Sequence, residues 1–251
     1  YIIMYYEFKR KGVDTKLADM LLIVSVISGI IGAKLLTILT DLPNILASNN
    51  PWDYIFSRGG LTWYGVLLFA MIGALIVIKV YKESILKIFD ILVPSLLIGY
   101  AYGRSGCHLT GDGCYGIPTN LPWGYSYDQG AVKAIYDASS PTPSEFTQML
   151  NSVKDYIDVN TFDDSYKTII NGQTYFKVHP TPVYEVLFTM VLLVIFWFFR
   201  KKELQRGVLF GWYLITTSIG RLLVELIRIN NRFGGLREYQ WIHVYLLIIG
   251  L

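Results

Sequence analysis

The chain has 251 residues, of which 53% are hydrophobic and only 16% charged, and its mean hydropathy is +0.41. A formal charge of +3 is too small to mark a nucleic-acid partner. Two cysteines and three histidines give no recognisable metal spacing, and neither a metal nor a cofactor is expected. What fits is an all-α polytopic membrane protein.

A bilayer core needs about 20 apolar residues per helix, and five segments qualify: residues 19–40, 61–81, 86–104, 182–199 and 207–228. YIIMYY at residues 1–6 reads as the tail of another helix and QWIHVYLLIIGL at 240–251 as the start of one. About seven transmembrane helices are therefore expected, the first and last truncated in this chain. Lys9, Arg10, Lys11 and Lys16, then Lys79, Lys82 and Lys87, then Arg200, Lys201, Lys202 and Arg206 all fall on one side of that topology. The positive-inside rule makes that side cytoplasmic.

No internal repeat or low-complexity tract interrupts the chain, so residues 1–251 read as a single membrane domain. The exception is an acidic, outward-facing insertion at 105–178, a small α+β cap. Thr142-Pro143-Ser144-Glu145 is a capping box with proline at the first helical position, and it predicts a short helix over 143–157. YKTII and QTYFKV flank Asn171-Gly172, which predicts a β-hairpin over 166–178.

Two Gly-Arg pairs, Gly103-Arg104 and Gly220-Arg221, lie toward the outward ends of apolar runs. A guanidinium inside a bilayer costs about 2.5–3.5 kcal/mol even on the gentlest scale, so its default reading is functional. Arg104 and Arg221 together suit the phosphate of a lipid headgroup, which arginine binds in bidentate fashion. The structural alternative pairs Arg221 with Glu225, one turn on, and Arg104 with Asp112. Lys34, within the second span, either adds a third cation or snorkels to the interface. Glu185, which opens the fifth span, is a candidate partner for a cation, and His179 precedes it. Gly111 to Gly116 matches a dinucleotide fingerprint only formally, because no βαβ unit surrounds it. Its glycines instead suit a tight turn with amides free to face an anion. Cys107 and Cys114 either form a disulfide or stay free, and the adjacent His108 gives no oriented catalytic pair.

Four blocks, in order, resemble the prolipoprotein diacylglyceryl transferases, bacterial inner-membrane enzymes with seven spans. They are Gly59-Gly60-Leu61-Thr62-Trp63-Tyr64-Gly65, Gly103 to Gly124, His179-Pro180-Thr181-Pro182-Val183-Tyr184-Glu185, and Gly220-Arg221 through Glu225 to Arg228. The resemblance implies transfer of the diacylglyceryl group of phosphatidylglycerol to the lipobox cysteine of a prolipoprotein signal peptide, forming a thioether and releasing glycerol phosphate. It implies catalytic roles for Arg104, Arg221, Glu225, Tyr64 and Asp112. Substrate contacts then fall to Lys34, Cys107, Gly116, His179, Tyr184 and Glu185 beside the two arginines. Tyr64 stands where the family often has histidine, Cys107 and Thr110 where asparagines are usual, and Asp112 where glutamate is usual. The alternative is a non-catalytic phospholipid-binding membrane protein or a transporter, although transport predicts related halves that this sequence lacks.

Overall fold

The computed structural model describes residues 1–47, 62–129, 131–135, 146, 148, 163–229, 232–233 and 236–250. Packing divides the chain into two units, Tyr1–Ser95 and Leu96–Leu251. Among the described residues four helices are long and apolar enough to cross a membrane: α2 (Thr15–Thr40), α5 (Ile85–Thr110), α6 (Thr181–Phe199) and α7 (Val208–Glu225). Shorter apolar stretches occur in α4 (Trp63–Val80) and α8 (Glu238–Gly250). The chain is a multi-pass membrane protein.

In the first unit α1 (Ile2–Arg10) turns into α2 at Asp14, whose carboxylate accepts from the Lys16 amide at 2.9 Å, a side-chain N-cap. A short helix, α3 (Leu42–Ala47), follows α2 and was not legible in the sequence. Phe8, Leu17, Ile78 and Ile88 are completely or almost completely buried in the core of this unit. Helices α2 and α4 meet through small residues: a Cβ on Gly65 would lie 2.4 Å from the Gly32 carbonyl oxygen, and one on Gly32 would lie 2.3 Å from Phe69. Without a hydrophobic drive between helices in lipid, such close backbone approach is what holds them together.

In the second unit α5 continues past Arg104 to Thr110, six residues beyond the expected end. It stops at Gly111, whose φ of +55° favours glycine. The predicted hairpin is present as β1 (Lys167–Ile170) and β2 (Gln173–Phe176), antiparallel, with Ile170 opposite Gln173. Asn171 and Gly172 between them both have positive φ, 51° and 79°, as a primed two-residue turn requires. The cap core stacks Tyr115 on Tyr127 at 4.6 Å and packs Phe146, Phe176, Val178 and Ile229 around them. Phe146 and Gln148 are helical, and the rest of the predicted 143–157 helix lies outside the described residues, as do Gly59, Gly60 and Leu61. A second short ladder, β3 (Arg232–Phe233) with β4 (Leu236–Arg237), precedes α8. Helix α7 ends at Glu225 rather than at residue 228, and a turn then carries Arg228 into contact with the cap.

Candidate active site

Helices α6 and α7 each carry one inward and one outward stripe. On α6 Glu185, Thr189, Leu192 and Phe196 are buried, whereas Leu187, Val191, Val194 and Phe198 are exposed. On α7 Leu214, Ser218, Arg221 and Glu225 are buried, whereas Ile219 and Leu223 are exposed. Both sets follow the 3.6-residue period, so Glu185, Arg221 and Glu225 share inward faces that are otherwise made of small polar and apolar side chains. Gly220 lets those faces close, since a Cβ there would lie 2.1 Å from Phe188 Cε1 on α6.

Glu185 is the centre of the cluster that results. Its carboxylate pairs with Arg221 Nη1 through one oxygen and with Arg104 Nε through the other. Tyr100 donates its hydroxyl to Glu185 Oε2 at 2.7 Å, and Arg228 Nη1 lies 3.9 Å from Oε1. Arg221 Nη2 also reaches Glu225 Oε2 at 3.2 Å. Among the described residues three guanidinium groups therefore face two carboxylates, a surplus of one positive charge. Arg221, Arg228, Glu185 and Glu225 are all at least nine-tenths buried, and the Arg104 side chain is 18% exposed. Arg228 Nε is buried and has no hydrogen-bond partner among the described residues. A buried surplus cation with an unused donor is costly on its own. An anion would lower that cost.

Backbone hydrogen bonds fix where these helix ends meet. The segment after α5 lies between the segment that precedes α6 and the one that follows α7. Gly116 N donates to His179 O at 2.8 Å, Ile117 N to Ile227 O at 2.8 Å, and His179 N to Ile117 O at 3.1 Å. Thr181 Oγ1 donates to Cys114 O at 2.6 Å. Gly116 is therefore a packing residue: a Cβ there would lie 2.5 Å from Ile227 O. Its amide is committed to His179, and the Cys114 amide is committed to Asp112 Oδ1 at 3.1 Å. Of the loop amides expected to face an anion, that of Gly116 is used in packing.

An open cleft of about 680 Å³ lies beside this junction, lined by His108, Trp123, Tyr125, His179, Val183 and Tyr184 among others. The Tyr184 hydroxyl accepts from Trp123 Nε1 at 2.9 Å and lies 3.1 Å from His179 Nδ1. Burial holds the His179 imidazole below its ordinary range, so it is neutral at pH 7.

Arg104, Arg221, Glu225 and Glu185 thus come together, and His179 and Tyr184 meet at the cleft. Asp112 is exposed and caps its own turn; the ion partner of Arg104 is Glu185. That correction has a local cause, because the left-handed glycines Gly111 and Gly113 turn the chain back on itself between Arg104 and Cys114. Cys107 and Cys114 are free thiols that cluster with Asp112, their ligand-type atoms all within 4.8 Å. Such a trio has the chemistry of a cation site, but Arg104 donates to Cys114 Sγ at 3.8 Å and the charge of Arg228 also acts on that thiol. Two guanidinium groups oppose a dication there. Lys34, half-buried on α2, and Tyr64, exposed at the start of α4, belong to the Tyr1–Ser95 unit, next in sequence to the touching residues Ala33 and Gly65.

Sequence reasoning gave no site role to Tyr100 or His243, and it placed Arg228 only as the end of the fourth motif block. Tyr100 lies one helical turn before Arg104, the spacing at which its hydroxyl accepts from Arg104 Nε at 3.3 Å. Arg228 continues the α7 charge series after Glu225. His243, on α8, interacts electrostatically with Arg221, Glu185 and Arg104, and its buried Nδ1 has no hydrogen-bond partner among the described residues.

Comparison with known proteins gives relatives over the whole chain. The chain is 29% identical over 253 residues to the phosphatidylglycerol–prolipoprotein diacylglyceryl transferase of Clostridium tetani, an alignment covering 100% of this chain and 84% of that protein. It is 29% identical over 255 residues to the protein of that name from Lysinibacillus sphaericus, covering 100% and 80%. With the Leptospira interrogans protein of that name it shares 24% identity over 247 residues, covering 90% of this chain and 66% of the relative. The family model for prolipoprotein diacylglyceryl transferase matches residues 1–251, and the chain belongs to that family.

Proposed function

We propose that this membrane protein transfers the diacylglyceryl group of phosphatidylglycerol to the lipobox cysteine thiol of a prolipoprotein signal peptide. The thiol loses its proton and its sulfur attacks the glyceryl carbon that carries the phosphate. The carbon–oxygen bond breaks with its electron pair going to phosphate, so a thioether forms and glycerol phosphate leaves. The chemical demand is for stabilised charge on the departing phosphate, which fixed cations supply.

The observation that carries this reading is the buried surplus charge at Glu185. Arg104, the most exposed of the three arginines, engages the lipid phosphate first, and Arg221 and Arg228 hold it from the buried side. Glu185 and Glu225 keep those guanidinium groups aligned. The family resemblance also assigns substrate or catalytic roles to Tyr64 and Lys34, and to Cys107 and Asp112 at the α5 turn. The cleft at His179 and Tyr184, lined by cap residues, seats the apolar residues of the acceptor peptide. The site faces the outer leaflet of the bacterial inner membrane, with the cap at 105–178 outward, because three lysine- and arginine-rich loops lie on the opposite side.

The test is transfer from phosphatidylglycerol to a lipobox peptide in detergent, followed by mass spectrometry of the peptide. The full chain is compared with Arg104→Gln and Arg221→Gln, each checked for folding by its melting curve. Loss of thioether product in folded variants supports the assignment. Lipid binding without product from the folded wild-type chain overturns it in favour of a binding protein or transporter.

A further inference from the structure

Cys107 sits on the last turn of α5 and Cys114 on the far side of the turn that ends it, with their sulfur atoms within 4.8 Å of each other. The turn between them holds two glycines with positive φ, Gly111 at 55° and Gly113 at 82°. Cys114 Sγ is also 3.8 Å from Arg104 Nη1, a residue of the proposed phosphate site. None of the chemistry proposed above uses either thiol as a reactant.

We propose that Cys107 and Cys114 are a reversible dithiol–disulfide couple whose closure withdraws the Cys114 sulfur from Arg104 and tightens the hold of the arginine site on a lipid phosphate. Closure requires the sulfurs to approach to about 2.05 Å, with their Cβ atoms about 3.8 Å apart. The positive-φ glycines Gly111 and Gly113 lie in the turn that closure must adjust. The reactive partner is Cys114. Its thiol is held down to about 6, chiefly by the hydrogen bond from Cys107 and also by the charge of Arg228, against the opposing effect of burial. A thiolate flanked by guanidinium groups is the nucleophilic form.

The exchange balances with a low-molecular-weight disulfide as oxidant. The Cys114 thiolate attacks one donor sulfur, the donor S–S bond breaks, and one donor thiolate leaves. Cys107, after losing its proton, attacks Cys114 Sγ, and the second donor thiolate leaves. Two protein thiols are oxidised, the donor disulfide is reduced, and the two protons released by the cysteines end on the donor thiols. In the reduced form the Cys114 thiolate competes with phosphate for Arg104. In the oxidised form that competitor is gone.

The coupling to lipid rests on Arg104 being a phosphate-binding residue, whereas formation of the disulfide does not. The experiment takes the full chain in detergent, equilibrated with glutathione disulfide or with reduced dithiothreitol, and counts free thiols by maleimide alkylation and intact mass. Oxidation is expected to remove both alkylation sites from monomeric protein and reduction to restore them; Cys107→Ser and Cys114→Ser each keep their remaining site. Continued alkylation of both thiols after oxidation, or bridging only between chains, overturns the couple. On the same preparations a short-chain phosphatidylglycerol is titrated, and the oxidised wild-type chain is expected to bind about fivefold more tightly. Cys107→Ser is expected to show no oxidant response. Equal affinity in both redox states overturns the coupling, and no lipid binding in either state, with the disulfide formed, overturns the phosphate reading of Arg104 while the couple stands.

Discussion

Glu185→Gln removes one negative charge with almost no change of shape. Glu185 is 3% exposed and pairs directly with Arg104 and Arg221, with Arg228 at 3.9 Å. The substitution leaves Glu225 as the one carboxylate of the cluster, so the buried surplus rises from one positive charge to two. Each lost contact is worth about 4 kcal/mol at 4 Å with an effective dielectric near 20. Relief of the desolvation of the carboxylate offsets part of that, and breaking a buried pair from one side costs about 3–5 kcal/mol net. At about 2–4 °C per kcal/mol, the midpoint falls by about 6–20 °C. The assay is thermal unfolding in detergent by tryptophan fluorescence, with and without short-chain phosphatidylglycerol. The lipid should raise the midpoint of the variant more than that of wild type, because an anion replaces the missing charge. Glu185→Asp serves as the fallback if the glutamine variant does not fold, and Asp112→Asn is the control, expected within about 0.5 kcal/mol of wild type because Asp112 is exposed. A Glu185→Gln midpoint within 2 °C of wild type and insensitive to lipid, by the same scale, would refute the reasoning.

Gly220→Ala places a methyl group 2.1 Å from Phe188 Cε1 and should cost about 1–3 kcal/mol by overpacking; Phe188→Ala in the same chain should recover part of the loss in a melting experiment. Gly172→Val puts a branched side chain at φ 79°, so the hairpin should lose about 1–2 kcal/mol, read as faster amide exchange at β1 and β2. Iodoacetamide labelling of Cys114 in Cys107→Ala should show the influence of its neighbours. With Cys107 present, thiolate accumulates as pH rises through about 6; without the Cys107 hydrogen bond the midpoint moves upward, and Arg228→Gln moves it further. Identical midpoints in all three proteins would remove Cys107 and Arg228 as the cause of that acidity.

The spans, the Asn171-Gly172 hairpin and the two arginines were legible because each is a local signal: apolar length, turn chemistry, or a cation where apolar residues should be. Arg221 with Glu225 was legible too, since i and i+4 share a helix face. The pairing of Arg104 was not. Asp112 is the nearer acid in sequence, but Glu185 lies 81 positions further on and meets Arg104 only through the packing of α6. The signal that could have ranked Glu185 higher was its place in the 185, 189, 192, 196 series, which puts it on the inward face of an apolar helix. Tyr64 and Lys34 were also marked by local sequence, and they lie exposed at the start of α4 and half-buried on α2.

The ends of α5, α6 and α7 also suit the charges they carry. Arg104 and Arg221 lie toward the C-terminal ends of α5 and α7, where the helix dipole favours cations, and Glu185 lies in the second turn of α6, at the end that favours anions. Glu225, the last residue of α7, runs against that preference, and Arg221 answers it from one turn back at 3.2 Å. The same three ends are tied by Gly116 to His179 and by Ile117 to Ile227, so the cap segment that follows α5 sets the spacing between α6 and α7 where the arginines meet. A side chain at Gly116 would push on Ile227 and His179 together, and with them on Arg228 and Glu185. The cap is therefore part of the proposed phosphate site, because its backbone determines how closely like charges are held there.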